Sequence, residues 1–166
     1  LQGLANASFL AFPAFIISSN PSQQISILEI IGIVIWLASF IMESVADVQK
    51  LTYLRAMKKS GASNMVCNIG LWKYSRHPNY FAEWMVWNAL VIASIPSWLN
   101  LYPNMSVLIF VLVGVGLLLT SRIMYVTLVT YTGAIPSEYY SVQKRPTYKD
   151  YQHTTNMFFP GPTKQN

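Results

Sequence analysis

The chain has 166 residues, of which 53% are hydrophobic and only 10% are Asp, Glu, Lys or Arg; soluble domains carry about 25% charged residues. So few charges cannot cover a water-facing surface, which excludes an ordinary soluble domain. The net charge of +5 would suit nucleic acid only if the cations were interleaved with aromatic residues on one surface. They flank apolar runs instead, so no nucleic-acid partner is expected.

The expected fold class is all-α: a multi-pass transmembrane helical bundle forming one membrane domain over 1–166. Leu4 to Ser18 is apolar, contains Pro13 and stops at Ser18-Ser19-Asn20-Pro21-Ser22, so it reads as the end of a span. The chain opens on Leu1 inside an apolar stretch without a basic flank, and we expect an amino-terminal portion to precede it. Ile25 to Ala46 reaches the roughly 20 helical residues that cross a hydrocarbon core. Trp84 to Leu101 is interrupted by Pro96 and bordered by Trp98 and Tyr102; it is either a crossing or a shorter helix turning at the interface. Ser106 to Thr130 is a fourth span, with Gly114 and Gly116 allowing close helix packing and Arg122 near its end. A Tyr-rich tail follows over 131–166.

Charge placement orients these spans. Lys50, Arg55, Lys58, Lys59, Lys73 and Arg76 follow the second span, and Lys144, Arg145, Lys149 and Lys164 follow the fourth. Two crossings separate the groups, so they share a side, while the connection from Asn100 to Asn104 carries no charge.

Three constellations could carry chemistry. Glu43, Asp47 and Lys50 project from one helix face, with Arg55 further round. This is either a cavity mouth or a solvated helix end held by an Asp47–Lys50 pair. The run from Gly70 to Glu83 includes Trp72, Lys73, Arg76, His77, Pro78, Asn79 and Tyr80. Pro78 suits a first helical turn, so a helix begins there, its positive end lies beside Arg76 as a phosphate site, and Asn79 and Glu83 share a face. The plainer reading has Arg76 and Lys73 on lipid phosphates and Trp72, Tyr74 and Tyr80 in an interfacial belt. No metal is expected, since His77 has no second ligand at a useful spacing. Cys67 is the single cysteine and cannot form an internal disulfide. The third constellation is the tail, with Glu138-Tyr139-Tyr140, Tyr148, Asp150, Tyr151, Thr155 and Phe158-Phe159-Pro160. Its tyrosines can stack on a ring, donate a hydrogen bond or anchor the terminus at an interface.

The run Gly70-Leu71-Trp72-Lys73-Tyr74-Ser75-Arg76-His77-Pro78-Asn79-Tyr80-Phe81-Ala82-Glu83-Trp84 resembles the signature of the steroid 5α-reductase-like membrane family, in its broad branch of uncharacterised reductases. The Glu43–Lys50 face and the Tyr148–Pro160 ending are similar to the same family's flanking patterns and occur in its order. The resemblance implies NADPH held without a Rossmann domain, with hydride passing to a conjugated carbon–carbon double bond of a lipid or steroid-like enone. It implies Lys50, Arg55 and Arg76 on phosphates, Asn79 and Glu83 on the nicotinamide carboxamide or ribose, and Asp47, Trp72, His77, Tyr80, Asp150 and Tyr151 around the pocket. Ala82 stands where the family usually has Gly, and the early helices that carry the family's proton donor have no counterpart, so no catalytic residue is assigned.

Two alternatives stay open. One is a catalytically degenerate member acting as a structural subunit of a membrane protein complex, with other subunits as partners. The other is an S-adenosylmethionine-dependent methyltransferase of the isoprenylcysteine type, which shares a short Arg-His-Pro motif but leaves the cluster of cations unexplained. Membrane lipids are expected neighbours in every case. Endoplasmic reticulum follows from the resemblance, and a mitochondrial inner membrane would suit the subunit.

Overall fold

The computed structural model describes residues 11–20, 22, 24–62 and 64–164, and these are all-helical, without strands. Six α-helices follow in order: α1 Phe12–Ser18, α2 Ile27–Lys59, α3 Pro78–Asn100, α4 Val107–Val126, α5 Ala134–Lys144 and α6 Tyr148–Thr154. One-turn 3-10 helices at Gly70–Lys73 and Tyr102–Asn104 and a π-helical turn at Thr127–Tyr131 complete the elements of the described residues. Of the expected first span, Leu4 to Leu10 lies outside the described residues.

Local chemistry sets the helix boundaries. Ser26 and Glu29 form a reciprocal cap at the start of α2: the Ser26 N–H donates to Glu29 Oε2 at 2.6 Å, and the Leu28 N–H donates to Ser26 Oγ at 3.4 Å. α2 then runs well past the expected boundary at Ala46, to a basic last turn at Lys58 and Lys59. α3 begins at Pro78, as its sequence predicts, and passes unbroken through Pro96 to Asn100. Of the two readings of that segment, the shorter helix that turns does not occur. Between the π-helical turn and α5 the chain folds back so closely that a Cβ on Gly133 would lie 1.7 Å from the Leu128 carbonyl oxygen, so only glycine fits there.

Of the four expected spans, two helical runs among the described residues are both long and apolar enough to cross a membrane, Ile27–Lys59 and Val107–Lys144. Only 11% and 17% of their most apolar windows are buried, so neither is the interior helix of a water-soluble core. α3 is long enough at 23 residues, but Asn88, Ser94, Ser97 and Asn100 dilute its apolar face.

The chain divides into two compact units, 1–39 with 84–125 and 40–83 with 126–166. In the first, a Cβ on Gly32 of α2 would meet Ala93 Cβ at 2.7 Å and the Ala89 carbonyl oxygen at 2.8 Å, so α2 and α3 cross nearly backbone to backbone. Trp98 donates to the Phe110 carbonyl at 2.9 Å and stacks on the Phe110 ring. Trp84 donates to the Ser121 carbonyl, and Ser121 donates to Asn88 Oδ1 at 2.7 Å, joining α3 to α4. Gly114 and Gly116 make room for the rings of Trp98 and Phe12, rather than for a neighbouring backbone. Gly32→Ala is expected to destabilise the chain by roughly 1–3 kcal/mol, since well-packed sites resist added volume. Thermal melting in detergent checks this, and an unchanged midpoint would mean that α2 and α3 can separate without cost.

Candidate functional site

The second unit is organised around one carboxylate. Glu138 on α5 is 7% exposed; its Oε1 accepts from Arg76 Nε at 2.7 Å, and its Oε2 accepts from Arg76 Nη2 at 3.1 Å. This is the bidentate fork that matches guanidinium to carboxylate. His77 Nε2 lies 3.0 Å from Oε1, and Gln152 Nε2 donates to Oε2 at 2.6 Å. Arg76 Nη1 also donates to the carbonyls of Gln152, at 2.9 Å, and Thr155. Four of the five guanidinium N–H groups therefore have partners within the chain.

The tail straps the Arg76 segment in place. Arg76 N–H donates to the Asn156 carbonyl at 2.8 Å, Ser75 Oγ to that of Phe158 at 2.9 Å, and Gly161 N–H to that of Tyr74 at 3.1 Å. The Tyr151 hydroxyl donates to the Trp72 carbonyl. Trp72 in turn donates from its indole to the Ala46 carbonyl at 2.8 Å, anchoring the 3-10 turn on α2. That turn opens on Gly70, whose φ of +52° suits glycine. A Cβ there would lie 2.5 Å from the Gln49 amide, which accepts the Leu71 N–H.

Beside this anchor is a narrow cleft of about 60 Å³. Lys50, Trp72, Arg76, His77 and Tyr151, all expected from sequence, line it, together with Cys67, Ser141, Arg145 and Tyr148. Lys50 Nζ sits 4.2 Å from the centre of the Trp72 ring, and Arg145 Nη1 donates to Ser141 Oγ at 2.9 Å. Among the described residues the ion pair is that of Arg76 with Glu138, joined by a hydrogen bond from His77, so neither Lys50 nor Arg145 faces a carboxylate at ion-pair distance. Two cations without an ion-pair partner, Lys50 feeling only the more distant charge of Asp47, repel each other in one partly buried cleft and attract an anion.

A second group of expected residues lies along α2 and the first turns of α3. Asn79 Nδ2 donates to Asp47 Oδ1 at 3.1 Å, which replaces the expected Asp47–Lys50 pair. The Asn79 Oδ1 is buried with no partner among the described residues. Tyr80 stacks parallel on His77 at 5.3 Å, and Glu83 and Glu43 are near enough to Asp47 to feel its charge.

Three of the expected residues are placed away from the role of a free cleft cation or lining group. Arg76 was expected on a phosphate, but its charge is matched by Glu138 and its donors are engaged. Arg55 and Asp150 are exposed on α2 and α6 and do not line the cleft. Arg145 takes the place of Arg55 as a cation of the cleft. Glu138, Gln152, Ser141 and Arg145 had no assigned role in the sequence. The available signal was that Glu138 is one of only six acidic residues and shares its tail with Asp150 and the cations Lys144, Arg145, Lys149 and Lys164.

Burial dominates the ionisation of the site. It pushes His77 below its ordinary value, against the upward pull of Glu138 and with the help of Lys50 and Arg76. The desolvation effect prevails because the Glu138 charge is already compensated by Arg76. Neutral His77 then donates from Nε2 to Glu138 and keeps Nδ1 as an acceptor. Burial likewise pushes Tyr148 up to about 12, with the Glu138 charge adding to it, and raises Tyr151 and the Cys67 thiol. These groups are protonated at neutral pH.

Two outcomes follow. Glu138→Ala leaves the Arg76 charge buried and unpaired, an expected loss of roughly 3–5 kcal/mol. Adding Arg76→Met should restore part of it; equal stability of the single and double variants would refute the anchor. Because the folded His77 pKa is depressed, folding disfavours its protonation. Its stability contribution is full above the unfolded value near 6.5 and declines as pH falls below it. Melting temperature should thus fall between pH 7.5 and 5.5, with a flatter profile in His77→Gln; parallel profiles would exclude His77 as the cause.

In comparisons with known families, residues 1–155 match the model of a family described as a protein of unknown function (DUF1295). No curated protein and no solved structure matches the chain.

Proposed function

Since the chain belongs to the family described as a protein of unknown function (DUF1295), whose description states no activity, we propose from its own residues that it is a multi-pass membrane protein that binds NADPH. The low burial of the two long apolar runs supports the membrane reading. The observation that carries the nucleotide reading is the pair of cations without an ion-pair partner, Lys50 and Arg145, in a cleft with aromatic walls. At about 60 Å³ that cleft suits a phosphate group and not a ring system, for which pockets run to roughly 300 Å³ or more.

The residues fit the remainder of the cofactor elsewhere. The unpartnered Asn79 Oδ1 is an acceptor matched to the N–H of a nicotinamide carboxamide, and Glu83 shares its helix turn. When bound, NADPH would supply the hydride, and water the proton, for reduction of the conjugated carbon–carbon double bond of a lipid-like enone. For this, Lys50 and Arg145 bind and neutralise phosphate, Asn79 and Asp47 orient the carboxamide end, and the Arg76–Glu138 anchor keeps the two groups in register. The order and motif content of the steroid 5α-reductase-like signature favour this chemistry.

A second reading has its own support: Arg76, the expected phosphate ligand, is engaged inside the chain. A structural subunit that retains the fold without the chemistry would look like this. Titration calorimetry of the purified chain with NADPH and with S-adenosylmethionine separates the readings. NADPH should bind with micromolar affinity. Lys50→Ala or Arg145→Ala should each weaken it roughly tenfold to a hundredfold, the loss of one hydrogen bond to a charged group. No binding of either cofactor would favour the subunit, and binding of S-adenosylmethionine alone would favour a methyltransferase.

A further inference from the structure

The first unit holds a cavity of its own, of about 370 Å³, within the roughly 300–1,000 Å³ of small-molecule sites. It shares no residue with the cleft of the second unit. Ile17, Ile33, Trp36 and Leu90 form its walls beside the close crossing of Gly32 with Ala93, and Ser22, Gln24 and Glu29 supply its polar groups. From this combination of apolar walls with one carboxylate we propose that the cavity binds a lipophilic ammonium, an apolar body ending in a protonated amine that donates to Glu29. The proposal does not rest on the nucleotide reading.

Glu29 and Arg122 are the only charged residues of the first unit, and they form no ion pair; Arg122 lies over the Tyr125 ring, 5.7 Å from its centre. The simplest competing explanation is that Glu29 serves only as the cap of α2. Its Oε2 accepts the Ser26 N–H at 2.6 Å, but its Oε1 accepts no hydrogen bond among the described residues. The start of a helix supplies roughly +0.5 charge, which leaves about half of the carboxylate charge unmatched. Capping therefore accounts for one oxygen and not for the other.

Shape and charge together select the ligand. Glu29, Ile33 and Trp36 share one face of α2, and at about 1.5 Å of rise per residue the carboxylate and the indole stand roughly 10 Å apart along the axis. The cavity thus offers a polar end and an apolar end. A fatty acid or a phosphate ester would set like charges side by side, and a hydrocarbon or long-chain alcohol would leave the carboxylate without a counter-ion. A protonated amine meets both ends, through a charge-assisted hydrogen bond roughly twice as strong as a neutral one.

Equilibrium binding of radiolabelled dodecylamine and dodecanol to the full chain in phosphatidylcholine nanodiscs at neutral pH, where an alkylamine is protonated, tests this once uptake by empty nanodiscs is subtracted. The two probes share a chain and differ in the head group. Dodecylamine should bind saturably and about tenfold or more tighter than dodecanol, the difference expected of a hydrogen bond to a charged group. Glu29→Gln, which keeps an acceptor for the cap, should remove that preference and leave dodecanol unchanged. Ile33→Trp, at an exposed wall position, should weaken both probes by filling the cavity. Equal binding of the two probes, or an undiminished preference in Glu29→Gln, assigns the cavity to hydrocarbon alone and overturns the proposal; so does the absence of saturable binding. The amine and alcohol are compared on the wild type, so that result decides even if Glu29→Gln lowers the melting midpoint.

Discussion

The second unit depends on the buried pairing of Arg76 with Glu138. A guanidinium and a carboxylate removed from water are each costly alone, and their attraction repays that only when the geometry is close and the remaining donors and acceptors are satisfied. Here they are: the fork to Glu138 is supplemented by two backbone carbonyls on Arg76 and by His77 and Gln152 on the carboxylate. Such a pair contributes little net stability compared with an apolar replacement, but it strongly penalises any arrangement that separates its members. It therefore fixes where the segment 70–77 meets α5 and α6, and the cleft inherits its shape from that junction.

The same pairing redistributes charge. With Arg76 matched, the electrostatic character of the cleft passes to Lys50, held over the Trp72 ring, and to Arg145, steadied by Ser141. His77 stays neutral for the same reason, because it meets a carboxylate already compensated and pays for its own burial. A residue drawn from the longest motif thus positions the site, and residues outside that motif carry its charge.

α2 contributes its residues 27–39 to the first unit and 40–59 to the second. Its amino-terminal part presents apolar side chains and Gly32, and its carboxy-terminal part presents Ala46 and Gln49 to the 3-10 turn, Asp47 to Asn79 and Lys50 to the cleft. An unbroken helix is a stiff support. The groups that hold Trp72 and Leu71 are consequently fixed relative to Lys50, without the uncertainty a loop would bring.

The sequence by itself determined the helical class, the start of α3 at Pro78, the basic character of both segments that build the second unit, and five of the residues that line the cleft. Composition, proline stereochemistry and periodicity are local properties and can be read without coordinates. Lys50, Trp72, Arg76, His77 and Tyr151 were legible as a group because they sit in dense, unusual motifs. Only the tertiary structure decided what each side chain does. By sequence Arg76 could meet a cofactor phosphate or a lipid phosphate, and the structure pairs it instead with Glu138, 62 positions away. Arg55 and Arg145 are equally charged on paper, but the turn of α2 directs one to solvent, while the fold of the tail brings the other to the cleft. A charge is written in the sequence, whereas its partner depends on which distant segments the packing brings together.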